Sequence, residues 1–275
     1  MSVLPLKPGN YRLLCFDLDG TLLTSHKEIL PSSLEVMDKA VKAGYIIAFA
    51  TGRPPEGLLR YAECFPFSIR QCYAVCYNGS ATVRLQDLSN VVAHVMDGTQ
   101  VKEIGALAHA CHTAIHGYCS EKGLLLEEEN PHALKEGRHS GVPHRLMDTQ
   151  TLDDEVHFYK CIATGEAENL DALRASLPQS LLEKVSVMRS ERNYLEFIAG
   201  KCTKGSALTE LAASLGIPME RTMAFGDAEN DQAMLKMAGC GVCMGNGTED
   251  TKALADVVTG TNDEGGIAAI VSQLV

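Results

Sequence analysis

Basic residues are in short supply. The 275 residues hold 24 Lys and Arg against 35 Asp and Glu, a formal net charge of −11. Such a balance disfavours non-specific binding to nucleic acid or to an anionic membrane surface. It leaves a phosphorylated small molecule open, because a bound cation and a local Lys reverse the sign inside one pocket. Also missing is any run of about 18 apolar residues, so no transmembrane helix is expected. Met1 to Tyr11 has no apolar signal stretch, and a cytoplasmic protein is expected. The ten cysteines are scattered, and Cys15, Cys76, Cys240 and Cys243 sit inside apolar strand-like runs. They read as small hydrophobes rather than a disulfide framework. Internal repeats and low-complexity tracts are absent. What remains is an ordinary globular composition, 45% hydrophobic with mean hydropathy near zero, enough for one large domain or two modest ones.

The first 80 residues alternate strand and helix. Arg12 to Phe16 reads as a strand ending at Asp17. Leu34, Met37 and Val41 recur at helical spacing before Gly44. Tyr45 to Ala50 is an apolar run ending in Thr51-Gly52-Arg53-Pro54. A second helix is expected to carry Leu58, Ala62 and Phe65 on one face. Tyr73 to Tyr77 is a third strand, ending in Asn78-Gly79. The pattern returns late, with a helix over Leu208, Leu211 and Leu215, a strand at Thr222 to Phe225, a helix over Ala233 to Met237, a strand at Gly241 to Met244 and a closing helix over Ile267 to Leu274. Uninterrupted apolar strands joined by helices predict an α/β fold, a doubly wound parallel-sheet core covered on both faces. Between about Ala81 and Arg192 the pattern changes, with an acidic run at Glu127 to Glu129 and a His- and Gly-containing stretch from Pro131 to His144. The expected division is a core over 1–82 and 193–275, with an inserted α+β domain over 83–192.

The candidate site residues all fall where predicted strands end, the edge at which open parallel sheets bind ligands. Asp17-Leu18-Asp19-Gly20-Thr21 aims two carboxylates to one side of an extended segment. They raise each other's pKa unless a cation sits between them, which suits a nucleophile beside a proton donor with Mg²⁺. The plain alternative is an Asp-Gly turn. Gly226-Asp227-Ala228-Glu229-Asn230-Asp231 opens a helix, where carboxylates either complement the macrodipole or ligate a hard cation. Thr51-Gly52 offers a hydroxyl and backbone N–H groups, or merely caps a helix. Lys204 is a phosphate clamp or a surface lysine.

Together the four pieces resemble the haloacid dehalogenase superfamily. The order Asp-x-Asp-Gly-Thr-Leu-Leu, Ala-Thr-Gly-Arg, Lys-Gly and Gly-Asp-x-x-Asn-Asp is similar to its Cof-type sugar-phosphatase branch. Asn78-Gly79, Met244-Gly245-Asn246-Gly247 and Asn262-Asp263-Glu264-Gly265-Gly266 resemble further landmarks of that branch. The resemblance covers about residues 12–80 and 193–275, and the middle resembles a C2-type (C2B-like) cap in position and length. It implies Asp17 as nucleophile and metal ligand, and Asp19 as acid/base with its carbonyl on Mg²⁺. It implies Thr51 and Lys204 as phosphoryl binders, Asp227 as the third protein ligand, and Asp231 behind it. Gly52, Arg53, Asn78 and Asn230 are implied to face substrate.

The expected activity is Mg²⁺-dependent hydrolysis of small phosphate monoesters, with a sugar phosphate or related metabolite as partner, in a monomer or small homo-oligomer. A phosphomutase and a catalytically idle metabolite-binding protein are the rivals. His109, His112 and His116 have the spacing of one helix face, and His132, His139 and His144 read as loop residues. Neither group is assigned a role.

Overall fold

The computed structural model describes residues 9–275; most of the Met1 to Tyr11 stretch read for a signal lies outside them. Contacts divide the chain into two compact units, one running up to Val92 and resuming at Thr203–Val275, the other Ala93–Cys202.

The first unit opens with β1 (Leu13–Asp17), buried along its whole length. In α1 (Pro31–Lys42), Pro31 fills a first-turn position that needs no N–H. Ser33, Val36, Met37 and Ala40 form its buried stripe. Gly44 then takes φ +86°, and Tyr45 donates to the Ala40 carbonyl at 3.0 Å, closing the helix in the left-handed manner glycine permits. β2 (Ile46–Ala50) follows. The expected helix through Phe65 stops early, at α2 (Pro55–Leu59). Pro66 disfavours helical geometry at Phe65, which is extended (φ −80°, ψ 136°) and packs edge-on to Phe49 at 5.5 Å. β3 (Tyr73–Cys76), β4 (Ala81–Arg84) and β5 (Ser89–Ala93) complete this part.

The second unit comprises β6 (Met96–Asp97), α3 (Gly98–Ala110), β7 (Ala114–Cys119), β8 (Gly123–Leu126), α4 (Pro131–Ser140), β9 (His144–Leu146), β10 (His157–Thr164), α5 (Ala167–Ser176), α6 (Gln179–Leu182), β11 (Val185–Glu191) and β12 (Tyr194–Ala199). Its sheet runs β11-β12-β10-β7-β8-β9, with β6 beside β10. One face carries Phe158, Cys161, Leu195 and Phe197 in a core shared with Val101, Ile104, Leu170 and Leu173 of α3 and α5. The three histidines expected on one helix face are separated. His109 is in α3, His112 sits in a turn at φ +55°, and His116 is in β7. The stretch read as a loop is α4, started by the Asn130 side chain accepting from Ala133 N–H and ended by left-handed Gly141. Its Asn-Pro start and Gly stop were the available signals.

The alternation of side chains puts His116, Tyr118, Lys160 and Glu196 on the other face of this sheet. Lys160 is buried between Glu196 at 3.4 Å and Glu136 at 3.7 Å, and Tyr118 donates to Glu136 at 2.7 Å. His116 is 1% exposed, and neither ring nitrogen has a hydrogen-bond partner among the described residues. Burial pushes its pKa down to about 4; Glu136 opposes this, while Lys160 and His132 add to it. The folded value lies below the unfolded one, so protonation favours the unfolded chain. The resulting stability is whole above about pH 6.5 and is lost as pH falls toward 4. At pH 5 the loss is about 2 kcal/mol. We expect wild-type protein to lose that much between pH 7.5 and 5 beyond what His116→Leu loses, as read from urea midpoints at the two pH values. Parallel losses would contradict it.

The chain re-enters the first unit through α7 (Lys204–Ser214), β13 (Thr222–Gly226), α8 (Gln232–Met237), β14 (Cys240–Cys243), α9 (Glu249–Leu254), β15 (Val257–Val258) and α10 (Gly266–Val271). The sheet order is β15-β14-β13-β1-β2-β3-β4-β5. Pairing is parallel from β15 to β3, which gives the doubly wound α/β core. Its edge is not parallel, because β4 is antiparallel to β3. Strand order reverses at β1, between β2 and β13, creating a crevice at their carboxyl ends. The unit boundaries also differ from 82/83 and 192/193. β4 and β5 extend the first sheet, and β12 lies between β11 and β10 in the second, so the contact divisions fall at Val92 and Cys202. Cys240 and Cys243 have C-x-x-C spacing, but within strand β14 positions i and i+3 point to opposite faces. All ten cysteines are free thiols.

Candidate active site

The carboxyl ends of β1, β2, β3 and β13, with the start of α7, bring the sequence-selected residues of the first unit together. Asp17 ends β1 and is 4% exposed. Lys204, first residue of α7 and 1% exposed, places Nζ 2.7 Å from Asp17 Oδ1 and 2.7 Å from Asp231 Oδ1. The fold can aim Lys204 inward because Thr203 caps α7, its hydroxyl accepting from Ser206 N–H at 3.0 Å. Gly79, at φ +112°, lets the β3 loop pass so close that a Cβ there would lie 2.4 Å from Thr203 O. The surface-lysine alternative for Lys204 is therefore excluded.

Asp231 is fully engaged. Its Oδ1 takes Lys204, and its Oδ2 accepts the backbone N–H groups of Asp227 and Ala228 at 3.0 and 3.1 Å. It fixes the turn that presents Asp227. Asp227 Oδ1 accepts from Thr21 Oγ1 at 2.9 Å, and its Oδ2 lies where a Cβ on Gly20 would approach to 2.4 Å. Gly20 (φ +86°) thus meets two demands, a left-handed turn and a close carboxylate.

Asp17, Asp227 and Asp231 each offer a carboxylate oxygen within 4.8 Å of the others. Asp17 Oδ2 is buried with no hydrogen-bond partner among the described residues. A buried, unpartnered carboxylate oxygen beside a second carboxylate fits a hard divalent cation bound by oxygen. Asp17 and Asp227 are the groups free to bind; Asp231, with both oxygens occupied, supports them. The electrostatics agree. Burial and the neighbouring Asp231 raise the pKa of Asp17, with Lys204 opposing. Burial and Asp231 push Asp227 up to about 6, with Thr21 and Lys204 opposing. Burial would lower Lys204, but the Asp17 and Asp231 carboxylates outweigh it and hold the ammonium charged.

Asp19 differs from its expected setting. Its side chain leaves the aspartate cluster for two cations, Arg53 and Lys27. Burial alone would raise its pKa, and the hydrogen bonds from Arg53 and Lys27 reverse the shift downward. Arg53, expected to face a substrate, is thereby engaged with protein. Thr51, ending β2, is 1% exposed, and its Oγ1 accepts from Arg53 N–H at 3.1 Å. Gly52 sits against Asn78, whose side chain a Cβ would approach to 3.1 Å. Asn78, at φ +58°, accepts from Asn230 Nδ2 at 3.1 Å, so these two amides meet across β3 and β13.

Supporting residues escaped the sequence reading. Thr21 lies within the quoted first motif but drew no role. Lys27 carries no signal except proximity in sequence. Asn246 donates to Gly20 O at 2.8 Å, and Asn262 donates to Leu23 O at 2.9 Å while its N–H meets Asn246 Oδ1 at 3.0 Å. The two landmark asparagines thus pin the loop after β1, a role that spacing alone does not reveal.

A family model described as haloacid dehalogenase-like hydrolase matches residues 14–271. A Serratia proteamaculans protein named HMP-PP phosphatase is 32% identical over 259 residues, 89% of this chain and 87% of that protein. A Bacillus subtilis 5-amino-6-(5-phospho-D-ribitylamino)uracil phosphatase is 27% identical over 267 residues, 95% and 96% of the two chains. The crystal structure of a haloacid dehalogenase-like hydrolase from Bacteroides thetaiotaomicron superposes with a TM-score of 0.85 at 30% identity, covering 96% of this chain and all of that one. The match spans nearly the whole chain, from the strand that carries Asp17 to the last helix, and the chain belongs to the haloacid dehalogenase-like hydrolase family.

Proposed function

We propose that the protein is a Mg²⁺-dependent phosphohydrolase of small phosphate monoesters, acting through an aspartyl phosphate on Asp17. The observation that carries the reading is the pairing of a free, buried Asp17 Oδ2 with a fully buried Lys204 on Oδ1. One oxygen is left for phosphorus or metal while the other is neutralised. Mg²⁺, held by Asp17, Asp227 and the Asp19 carbonyl, would neutralise phosphoryl charge. The protein does the rest. Lys204 orients Asp17 and adds positive charge to the transferring group, and the Thr51 hydroxyl and Gly52 N–H bind phosphoryl oxygens. Asn78 and Asn230 supply amide contacts beside them. Asp17 attacks phosphorus, and Asp19 gives a proton to the leaving alcohol and takes one from the water that hydrolyses the aspartyl phosphate.

Relatives named for small phosphorylated metabolites support a substrate of that class, such as a sugar phosphate. No helix of the described residues is long and apolar enough to cross a membrane. The phosphate-handling residues all belong to the first unit, so we assign choice of leaving group to the second. The test of class is phosphate release across sugar phosphates, nucleotides and cofactor phosphates with and without Mg²⁺. Conversion of hexose 1-phosphate to hexose 6-phosphate without free phosphate would select the phosphomutase reading instead. Removing the Asp227 carboxylate takes away one hard ligand. Asp227→Ala is expected to weaken the apparent Mg²⁺ affinity by at least about tenfold, with excess Mg²⁺ restoring only part of the activity. An unchanged Mg²⁺ titration would sink the metal assignment.

A further inference from the structure

Both carboxylate oxygens of Asp19 are occupied by cations. Arg53 Nε donates to Oδ2 at 2.8 Å and Arg53 Nη2 to Oδ1 at 2.6 Å, while Lys27 Nζ reaches Oδ1 at 2.7 Å. A two-pronged guanidinium contact fixes the plane of a carboxylate as well as its position. Arg53 is itself held on several sides. Its N–H donates to Thr51 Oγ1, and its carbonyl accepts from Tyr77 N–H at 3.1 Å. Its stem lies against Gly57, where an added Cβ would meet Arg53 Cβ at 3.0 Å. Lys27 reaches over from a turn at φ +61°, a conformation few non-glycine residues adopt. Two of the guanidinium's N–H donors are thereby committed to Asp19 in charge-assisted bonds.

Resting on the phosphatase reading above, we propose that Arg53, assisted by Lys27, is a positioning residue for Asp19. The pair fixes the position and plane of the Asp19 carboxyl group for the second half-reaction. In that step the water oxygen bonds to phosphorus and the bond from phosphorus to the Asp17 oxygen breaks. The water proton passes to Asp19, inorganic phosphate leaves and Asp17 is regenerated. Arg53 acts through Asp19 and leaves phosphorus to Lys204 and the cation.

The test is rapid-mixing kinetics with p-nitrophenyl phosphate and Mg²⁺. This leaving group departs without a proton, so the fast release of nitrophenol reports attack by Asp17 and the slow phase reports hydrolysis. Arg53→Ala is expected to slow the slow phase by about 10²-fold while changing the fast phase by less than about tenfold, and phosphorylated enzyme accumulates. Lys27→Ala, at a side chain 56% exposed and so without a packing cost, is expected to act in the same direction with smaller effect. Adding Arg53→Ala to Asp19→Asn is expected to cost nothing more. Slowing of the fast phase as much as the slow one, or losses that multiply in the double variant, would make Arg53 a phosphoryl ligand and overturn the proposal. Wild-type turnover that survives Asp17→Asn would defeat the phosphatase reading and this proposal with it.

Discussion

Asp17→Asn is expected to lower kcat by about 10⁴-fold or more, the scale of loss when a nucleophile is removed, while the protein stays folded. The amide is nearly isosteric, and its oxygen still accepts from Lys204 where Asp17 Oδ1 now does at 2.7 Å. It lacks the charge and the lone pair that attack phosphorus, and it is a poor metal ligand. Stability is expected to hold or to rise, because the native carboxylate is buried beside Asp231 against its own preference for the charged state. Phosphate release and thermal midpoint measured on one preparation check both halves. Near-normal turnover by pure variant would remove Asp17 as nucleophile. A collapse of the midpoint would mean that its role is structural.

The second large effect is at Lys204, which is expected to matter for both stability and chemistry. Its ammonium is the buried countercharge shared by Asp17 and Asp231, with side-chain exposures of 1%, 5% and 1%. Removing one member of a buried ionic cluster leaves the others uncompensated, at about 3–5 kcal/mol, and at this chain length each kcal/mol lowers the midpoint by about 2–4 °C. Lys204→Ala is therefore expected to melt several degrees lower and to lose about 10²–10³-fold in kcat, with KM raised as well. Lys204→Met refills the stem and recovers only the packing part. Unchanged midpoint and kinetics in Lys204→Ala would contradict the geometry of the cluster.

Much of this site was legible before any coordinates. Strand ends are marked by apolar runs, and a polar residue at such an end is placed by topology alone; Asp17, Thr51, Asn78 and Asp227 illustrate it. The inward Lys204 was less legible, since a lysine at a helix start looks like surface until the burial of its partners is known. Arg53 went the other way. Its motif suggests a substrate contact, and the choice between Asp19 and a ligand depends on side-chain direction, which spacing does not encode. The clearest misreadings lie in the second unit. α4 was hidden because Pro131 and Gly137 read as loop residues, although a proline in the first turn is favourable. β12 went unseen because Glu196 breaks the apolar run, its charge being matched by Lys160 on the neighbouring strand β10. The first boundary was read at 82/83 rather than after Val92 because β4 and β5 carry polar residues on an edge that tolerates them.

The central claim is a covalent phosphoryl group on one named side chain. The direct measurement is acid quench of the wild-type enzyme during turnover of a ³²P-labelled phosphate monoester with Mg²⁺, followed by peptide mapping. The account predicts acid-stable, alkali-labile label on the peptide that contains Asp17, formed no more slowly than turnover and absent from Asp17→Asn. Turnover without protein-bound label at any quench time, or label that persists in Asp17→Asn, would contradict it.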